Sequence, residues 1–125
     1  MVVMKVVASL ILVLASSFLV VSPAAASRSD DLVLLSTVFG ELHFVRRLCE
    51  PVREQDYWRE RMKQLVALEK PTARERRRLV EGFNKGYNNA QGQFSACTAQ
   101  AELFSINRAE RGEAIVLRLG GAPSR

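Results

Sequence analysis

Residues 6–21 form a run of sixteen residues without a charge. This run limits the possible folds most, because it indicates that the N-terminal segment is not part of the folded domain. Lys5 precedes the run, and a proline and three alanines follow it, ending at Ala26. A basic start, an apolar stretch and small residues before a cleavage point are typical of a secretory signal peptide. We therefore predict a signal peptide over residues 1–26 and one helical domain over residues 27–125.

The alternative to cleavage is a retained membrane anchor. As an α-helix, the uncharged run would be about 24 Å long, shorter than the ~30 Å hydrocarbon core of a bilayer. We therefore expect a periplasmic or secreted protein that contacts a membrane only through its signal peptide before cleavage. Lys5 is the only charged side chain of that segment, so the mature chain keeps +4 of the full net charge of +5. This charge permits an anionic partner, and the compartment disfavours nucleic acid.

Apolar residues spaced three and four apart predict three amphipathic helices in the mature chain. The pattern places them over about residues 30–49, 55–70 and 73 to at least 105. Short connections between helices favour antiparallel neighbours, so we predict an all-α fold, a small three-helix bundle with one long helix. From about residue 110 the sequence leaves a short helix, a strand and a frayed tail as open alternatives.

The third helix has a clear start and an unusual middle. Thr72 and Glu75 have the spacing of a capping box, in which each side chain bonds the other residue's amide. Gly82, Gly86 and Gly92 are poor helix formers, each costing about 1 kcal/mol relative to alanine. They predict either a kink or the close approach of another helix backbone, with tight packing of the first helix as the favoured interpretation.

The two cysteines, Cys49 and Cys97, both fall on predicted apolar stripes. An even number of cysteines in an exported chain favours a disulfide. The bridge would stabilise the fold by about 4 kcal/mol according to the chain-entropy model. Two buried free thiols, or a bond to another chain, are the alternatives.

Several short strings occur in one order that resembles a known family. They are GELHFVRRLC at residues 40–49, Trp58-Arg59 with Met62, FNKGY at residues 83–87, and Cys97-Thr98. The order resembles an uncharacterised family of small exported alphaproteobacterial proteins with two well-separated cysteines, and the resemblance covers about residues 32–104. It implies a periplasmic setting, supports the disulfide and implies no activity.

Glu41 and His43 are the best candidates in the sequence for a catalytic acid–base pair. Residues two apart on a helix point about 200° away from each other, so these two do not face each other. His43 is the only histidine, and no second ligand lies at a metal-binding spacing from it. We therefore predict no catalytic residue, metal or cofactor, with an envelope hydrolase that uses both side chains as the alternative.

A binding surface is the remaining candidate site. Asn84, Tyr87 and Asn88 offer polar groups beside the glycines of the third helix. The positive N-terminal end of that helix also carries an arginine cluster, which the helix dipole disfavours. We take Arg74, Arg77 and Arg78 from that cluster as possible contacts, with an ordinary solvated face as the alternative.

These features predict a binding or interaction protein of the cell envelope rather than an enzyme. Its partner would be an envelope protein or an anionic envelope component. A structural subunit that self-associates through an unburied apolar stripe is the third alternative.

Overall fold

The computed structural model describes residue 19 and residues 23–120, with side chains from residue 28 onward. The predicted signal peptide lies largely outside these residues, and its cleavage stays a prediction. The described part contains no strand. Its helices are α1 (Pro23–Cys49), α2 (Tyr57–Glu69), α3 (Ala73–Gln93) and α4 (Ala99–Gly120).

The all-α prediction is confirmed, but residues 23–120 form four helices rather than three. The predicted long helix is wrong because α3 ends at Gln93, after which the backbone of Phe94 is extended, with φ −127° and ψ 120°. A new helix start follows, since the hydroxyl of Thr98 accepts a hydrogen bond from the amide of Ala101 at 3.2 Å. The uncertain region after residue 110 is helical to Gly120.

The helices α1 and α2 also differ from their predicted bounds. The difference is small for α2, which was predicted over about residues 55–70 and runs over Tyr57–Glu69. α1 begins at Pro23 instead of residue 30, which is compatible with proline because the first turn of a helix needs no amide donor there. The capping box of α3 is confirmed. Glu75 donates its amide to Thr72 Oγ1 at 3.2 Å and accepts from the amide of Thr72 at 3.0 Å.

Helix α1 is the centre of the bundle, and the other three helices pack around it. Its buried apolar residues, Leu35, Val38, Leu42 and Val45, are each at most 3% exposed. Among residues 23–120, α4 comes within 8 Å between Cα atoms of α1 alone, not of α2 or α3. The chain runs up, down, up and down, so α1 and α3 are parallel and start at the same end.

Glycines allow α1 and α3 to touch backbone to backbone. A Cβ atom on Gly40 would lie 1.9 Å from the carbonyl oxygen of Phe83, and one on Gly86 would lie 2.0 Å from that of Thr37. Real Cβ atoms essentially never come that close to another atom. Gly82 and Gly86 of α3 therefore serve close packing, which was the favoured interpretation of the sequence, whereas a Cβ atom on Gly92 would lie within 4 Å of no described atom.

A disulfide between Cys49 and Cys97 confirms the predicted pairing. It lies at the end of the bundle where α1 and α3 end and α4 begins. The S–S distance is 2.03 Å and the two Cα atoms lie 5.1 Å apart. Cys97 lies in the connection between α3 and α4, not on a continuous third helix as predicted. The bridge thus joins the last residue of α1 to the connection that the sequence analysis missed.

Candidate functional site

His43 is a packed side chain in α1. It is 6% exposed, and its ring centroid lies 5.6 Å from those of Phe83 and of Tyr87. Burial is the main cause that lowers the pKa of His43 below its ordinary value of 6.5, and the positive charge of Arg47 adds to it. Asp56 opposes this shift. The imidazole is therefore neutral at neutral pH and packs against aromatic rings of α3.

Glu41 faces a different helix. Its carboxylate forms an ion pair with Arg108 of α4, whose guanidinium also lies 4.4 Å from the ring centroid of Phe104. Burial raises the pKa of Glu41 above its ordinary value, although Arg108 opposes the shift. Glu41 thus contacts α4 while His43 contacts α3, and the structure does not bring together the pair that the hydrolase alternative requires.

The cysteine bridge has an acidic neighbour but offers no metal site. One carboxylate oxygen of Glu102 lies 3.4 Å from the sulfur of Cys97, and the other accepts from Arg46 at 3.0 Å. This is the one cluster of metal-ligand side chains within residues 23–120. Because the two sulfur atoms are bonded to each other, neither is available as a thiolate.

The predicted polar surface on α3 is divided. Asn84 and Asn88 are exposed, whereas Tyr87 is half-buried and packs edge-on against Phe44 with ring centroids 5.4 Å apart. The hydroxyl of Tyr87 accepts a hydrogen bond from Arg47 at 3.5 Å. These side chains lie at least six residues, or about 9 Å along the helix axis, from the predicted arginines. The six predicted residues therefore extend along α3 instead of meeting at one point, and their role in binding stays a prediction.

A shallow cleft of about 320 Å³ lies beside Tyr87, between α1, α3 and the α1–α2 connection. It combines a cation, an amide and aromatic rings, and its lining residues are Phe44, Arg47, Leu48, Pro51, Gln55 and Tyr87. The sequence analysis missed Arg47 and Gln55 as possible ligand contacts. Arg47 lies within one of the strings that carried the resemblance, but nothing in its spacing indicated the cleft.

The predicted arginines belong to a larger charged surface, which we call the basic end. It comprises residues 28–31, 69–78 and 118–120, where α1 and α3 begin and where α2 and α4 end. Three ion pairs join these segments. They are Arg28–Glu69 at 2.8 Å, Arg78–Asp30 at 3.1 Å and Arg118–Asp31 at 2.8 Å.

The net charge of the described side chains is concentrated at the basic end. It contains seven Lys and Arg residues and four Asp and Glu residues, a difference of +3. The other described side chains contain nine of each sign, a difference of zero. The sequence analysis found the arginine cluster on α3 but not the three cations that helix packing adds to it, which are Arg28, Lys70 and Arg118.

The carboxylates of the basic end are already engaged, and several of its cations are not. Three of the four acids form the ion pairs described above, and Glu75 accepts from the amide of Thr72 in the capping box. Arg74, Arg76 and Arg77 are exposed and form no ion pair with any described residue. Because they lie in the first turns of α3, they oppose the helix dipole instead of stabilising the helix. They are available to an external anion.

Comparison with known proteins gives one match. The family described as "Protein of unknown function (DUF2385)" matches residues 28–121, a range that contains both cysteines and the complete basic end. No curated protein and no solved structure matches the chain. The match confirms the resemblance to an uncharacterised family, and its description supplies no ligand or reaction.

Proposed function

Because the chain belongs to the DUF2385 family, whose function is unknown, we propose a function from the structure itself. The protein acts by binding rather than by catalysis, outside the cytosol, and its basic end attaches to an anionic component of the cell envelope. The free guanidinium groups of Arg74, Arg76 and Arg77 are the observation that carries this proposal.

The compartment is supported by the cysteine bridge. Disulfides form and persist in oxidising compartments and are rare in the cytosol. Cys49 and Cys97 are the only cysteines of the chain, and they are paired with each other. This agrees with the signal peptide expected from residues 1–26.

The binding role is supported by the charge distribution. Exposed cations are attracted to phosphate and carboxylate groups, and arginine binds such groups through two parallel N–H donors. At the basic end, the intramolecular carboxylates do not neutralise the three arginines. Since these arginines gain nothing from the helix dipole, their clustering is better explained by an external partner.

A soluble polyanion tests the proposal directly. We expect the protein to bind heparin, used as a generic probe, and to elute at a salt concentration that falls when Arg74, Arg76 and Arg77 are replaced with glutamine. The matched control removes the same charge from exposed, unpaired positions elsewhere, as R59Q/K85Q/R111Q. Circular dichroism verifies that both variants fold. Equal losses in the two variants, or no binding by the unmodified protein, would refute the proposal.

Self-association is a second candidate because α4 exposes apolar side chains. Leu103, Ile106 and Leu117 are 61%, 53% and 71% exposed and lie on the outer side of the helix. Glu110 and Glu113 lie between them and interrupt the apolar surface. Sedimentation equilibrium at high protein concentration tests this candidate, and a monomer there would contradict it.

A further inference from the structure

We propose that the anionic partner of the basic end is the phospholipid surface of a membrane, on which the bundle stands with its helix axes directed away from the lipid. This inference rests on the proposed function and specifies the partner, and it replaces the expectation from the sequence that only the signal peptide contacts a membrane. Three observations favour lipid over a soluble anionic polymer: the position of the basic end in the chain, an exposed leucine beside the cations, and the absence of net charge elsewhere among the described side chains.

The first observation is the place where α1 begins. Its first residue, Pro23, follows closely after the uncharged run at residues 6–21. Only six residues separate that run from Arg28, the first cation of the basic end. Even fully extended, the seven steps between them span about 25 Å. Whenever the uncharged run is in a bilayer, the basic end is therefore the part of the bundle nearest to the lipid head groups.

The second observation is an exposed apolar side chain directly before the basic end in sequence. Leu68, in the last turn of α2, is 80% exposed. It lies two residues before Lys70, whose left-handed backbone, φ 45°, ends the helix. A leucine beside free cations matches the interfacial layer of a bilayer, where charged head groups lie above acyl chains. A soluble polyanion offers no apolar layer for this leucine.

The third observation concerns orientation. Since the other described side chains carry equal numbers of positive and negative charges, an anionic surface attracts the bundle at one end. Charge attraction decays within about 10 Å at moderate salt, so only cations close to the surface contribute. The sides of the helices therefore remain free, including the cleft beside Tyr87.

The test uses the protein expressed from the full chain, in the form that the cell produces, and measures co-sedimentation with vesicles. We expect binding to phosphatidylglycerol–phosphatidylcholine vesicles and none to phosphatidylcholine alone. Each cation near an anionic surface contributes about 1 kcal/mol, so R74Q/R76Q/R77Q should weaken binding about 100-fold. The control R59Q/K85Q/R111Q should weaken it only a few-fold because those side chains lie outside the basic end.

Leu68→Ser separates this inference from the proposed function. If Leu68 enters the lipid interface, the substitution should weaken vesicle binding about tenfold and leave heparin binding unchanged. Heparin binding without vesicle binding, or vesicle binding that Leu68→Ser does not weaken, would overturn the lipid inference and leave the proposed function standing. Failure to bind either probe would overturn both.

Trp58 reports the orientation, because it is the only tryptophan of the chain. It lies twelve residues from Lys70, about 18 Å along α2 and away from the basic end. A nitroxide attached to the lipid head group should therefore leave the fluorescence of bound protein unchanged. Strong quenching of Trp58 would mean that the bundle lies on its side, which would overturn the proposed orientation.

Discussion

Replacing Gly86 with alanine would place a methyl group in the contact between α1 and α3. The new Cβ atom would lie 2.0 Å from the carbonyl oxygen of Thr37 and 3.1 Å from the amide nitrogen of Glu41. Both neighbours are backbone atoms of α1, which cannot rotate away as the end of a side chain can. The two helices must therefore move apart by about 1 Å, a gap that removes a quarter to a half of the dispersion energy between the atoms it separates.

The expected loss of stability follows from two opposing terms. Overpacking a tight contact costs about 1–3 kcal/mol, and a clash with backbone belongs at the upper end of that range. Alanine recovers about 1 kcal/mol because it is a better helix former than glycine. The net loss is about 2 kcal/mol, which lowers the melting temperature of a domain of this size by roughly 10 °C.

Thermal and urea unfolding followed by circular dichroism measure this loss. Gly92→Ala is the matched control because Gly92 lies in the same helix and no atom would lie within 4 Å of its Cβ. We expect Gly92→Ala to leave stability unchanged or raise it by up to about 1 kcal/mol. If Gly86→Ala is as stable as Gly92→Ala, the close backbone contact between α1 and α3 is wrong.

Two further predictions concern the cysteines and the histidine. Replacing Cys49 and Cys97 together with serine should lower the free energy of unfolding by about 4 kcal/mol, measured by urea titration, and an unchanged midpoint would contradict the bridge. His43 binds a proton less readily in the folded chain than in the unfolded chain, where the pKa of His43 has its ordinary value of 6.5. Stability should therefore fall as the pH drops below 6.5, and His43→Phe should remove that part of the pH dependence. Parallel profiles for the two proteins would refute this reasoning.

Local chemistry explains which parts of the fold were predictable from the sequence. The end of α2 and the start of α3 depend on neighbouring residues, namely Pro71 and the capping pair Thr72 and Glu75. The disulfide was predictable because the chain has only two cysteines. These features need no knowledge of distant contacts.

The break between α3 and α4 was not predictable from periodicity. Apolar residues continue at helical spacing through the break, at Ala90, Phe94, Cys97 and Ala101. The rings of Phe94 and Phe104 still meet, with centroids 5.1 Å apart, although the chain reverses direction between them. A pattern that fits one long helix thus also fits two helices with a bend between them, in which Ala90, Phe94 and Ala101 still pack in one cluster with Val45 of α1. The cap at Thr98 was the only local signal of the second start.

The basic end was only partly predictable, because local sequence does not show which helix ends meet. Arg74, Arg77 and Arg78 are close in sequence, so their clustering was visible. Arg28 and Arg118 join them only because four helix ends meet at one end of the bundle. Whether a cation is free also depends on which carboxylates fold beside it, and no sequence pattern gives that information.

The central position of α1 has a consequence for the order in which the chain folds. A chain that emerges N-terminus first exposes α1 before any of the three helices that cover it. The buried residues Val38 and Ile115 lie in one cluster, so α1 is not fully covered until α4 has emerged almost to its end. We therefore expect the core to be completed only when nearly the whole chain is available. Such a delay would suit the export that the predicted signal peptide implies, because the chain would have to stay unfolded while it passes through a narrow pore. The central position of α1 also means that a C-terminal truncation that removes Ile115 is a defect at the centre of the domain.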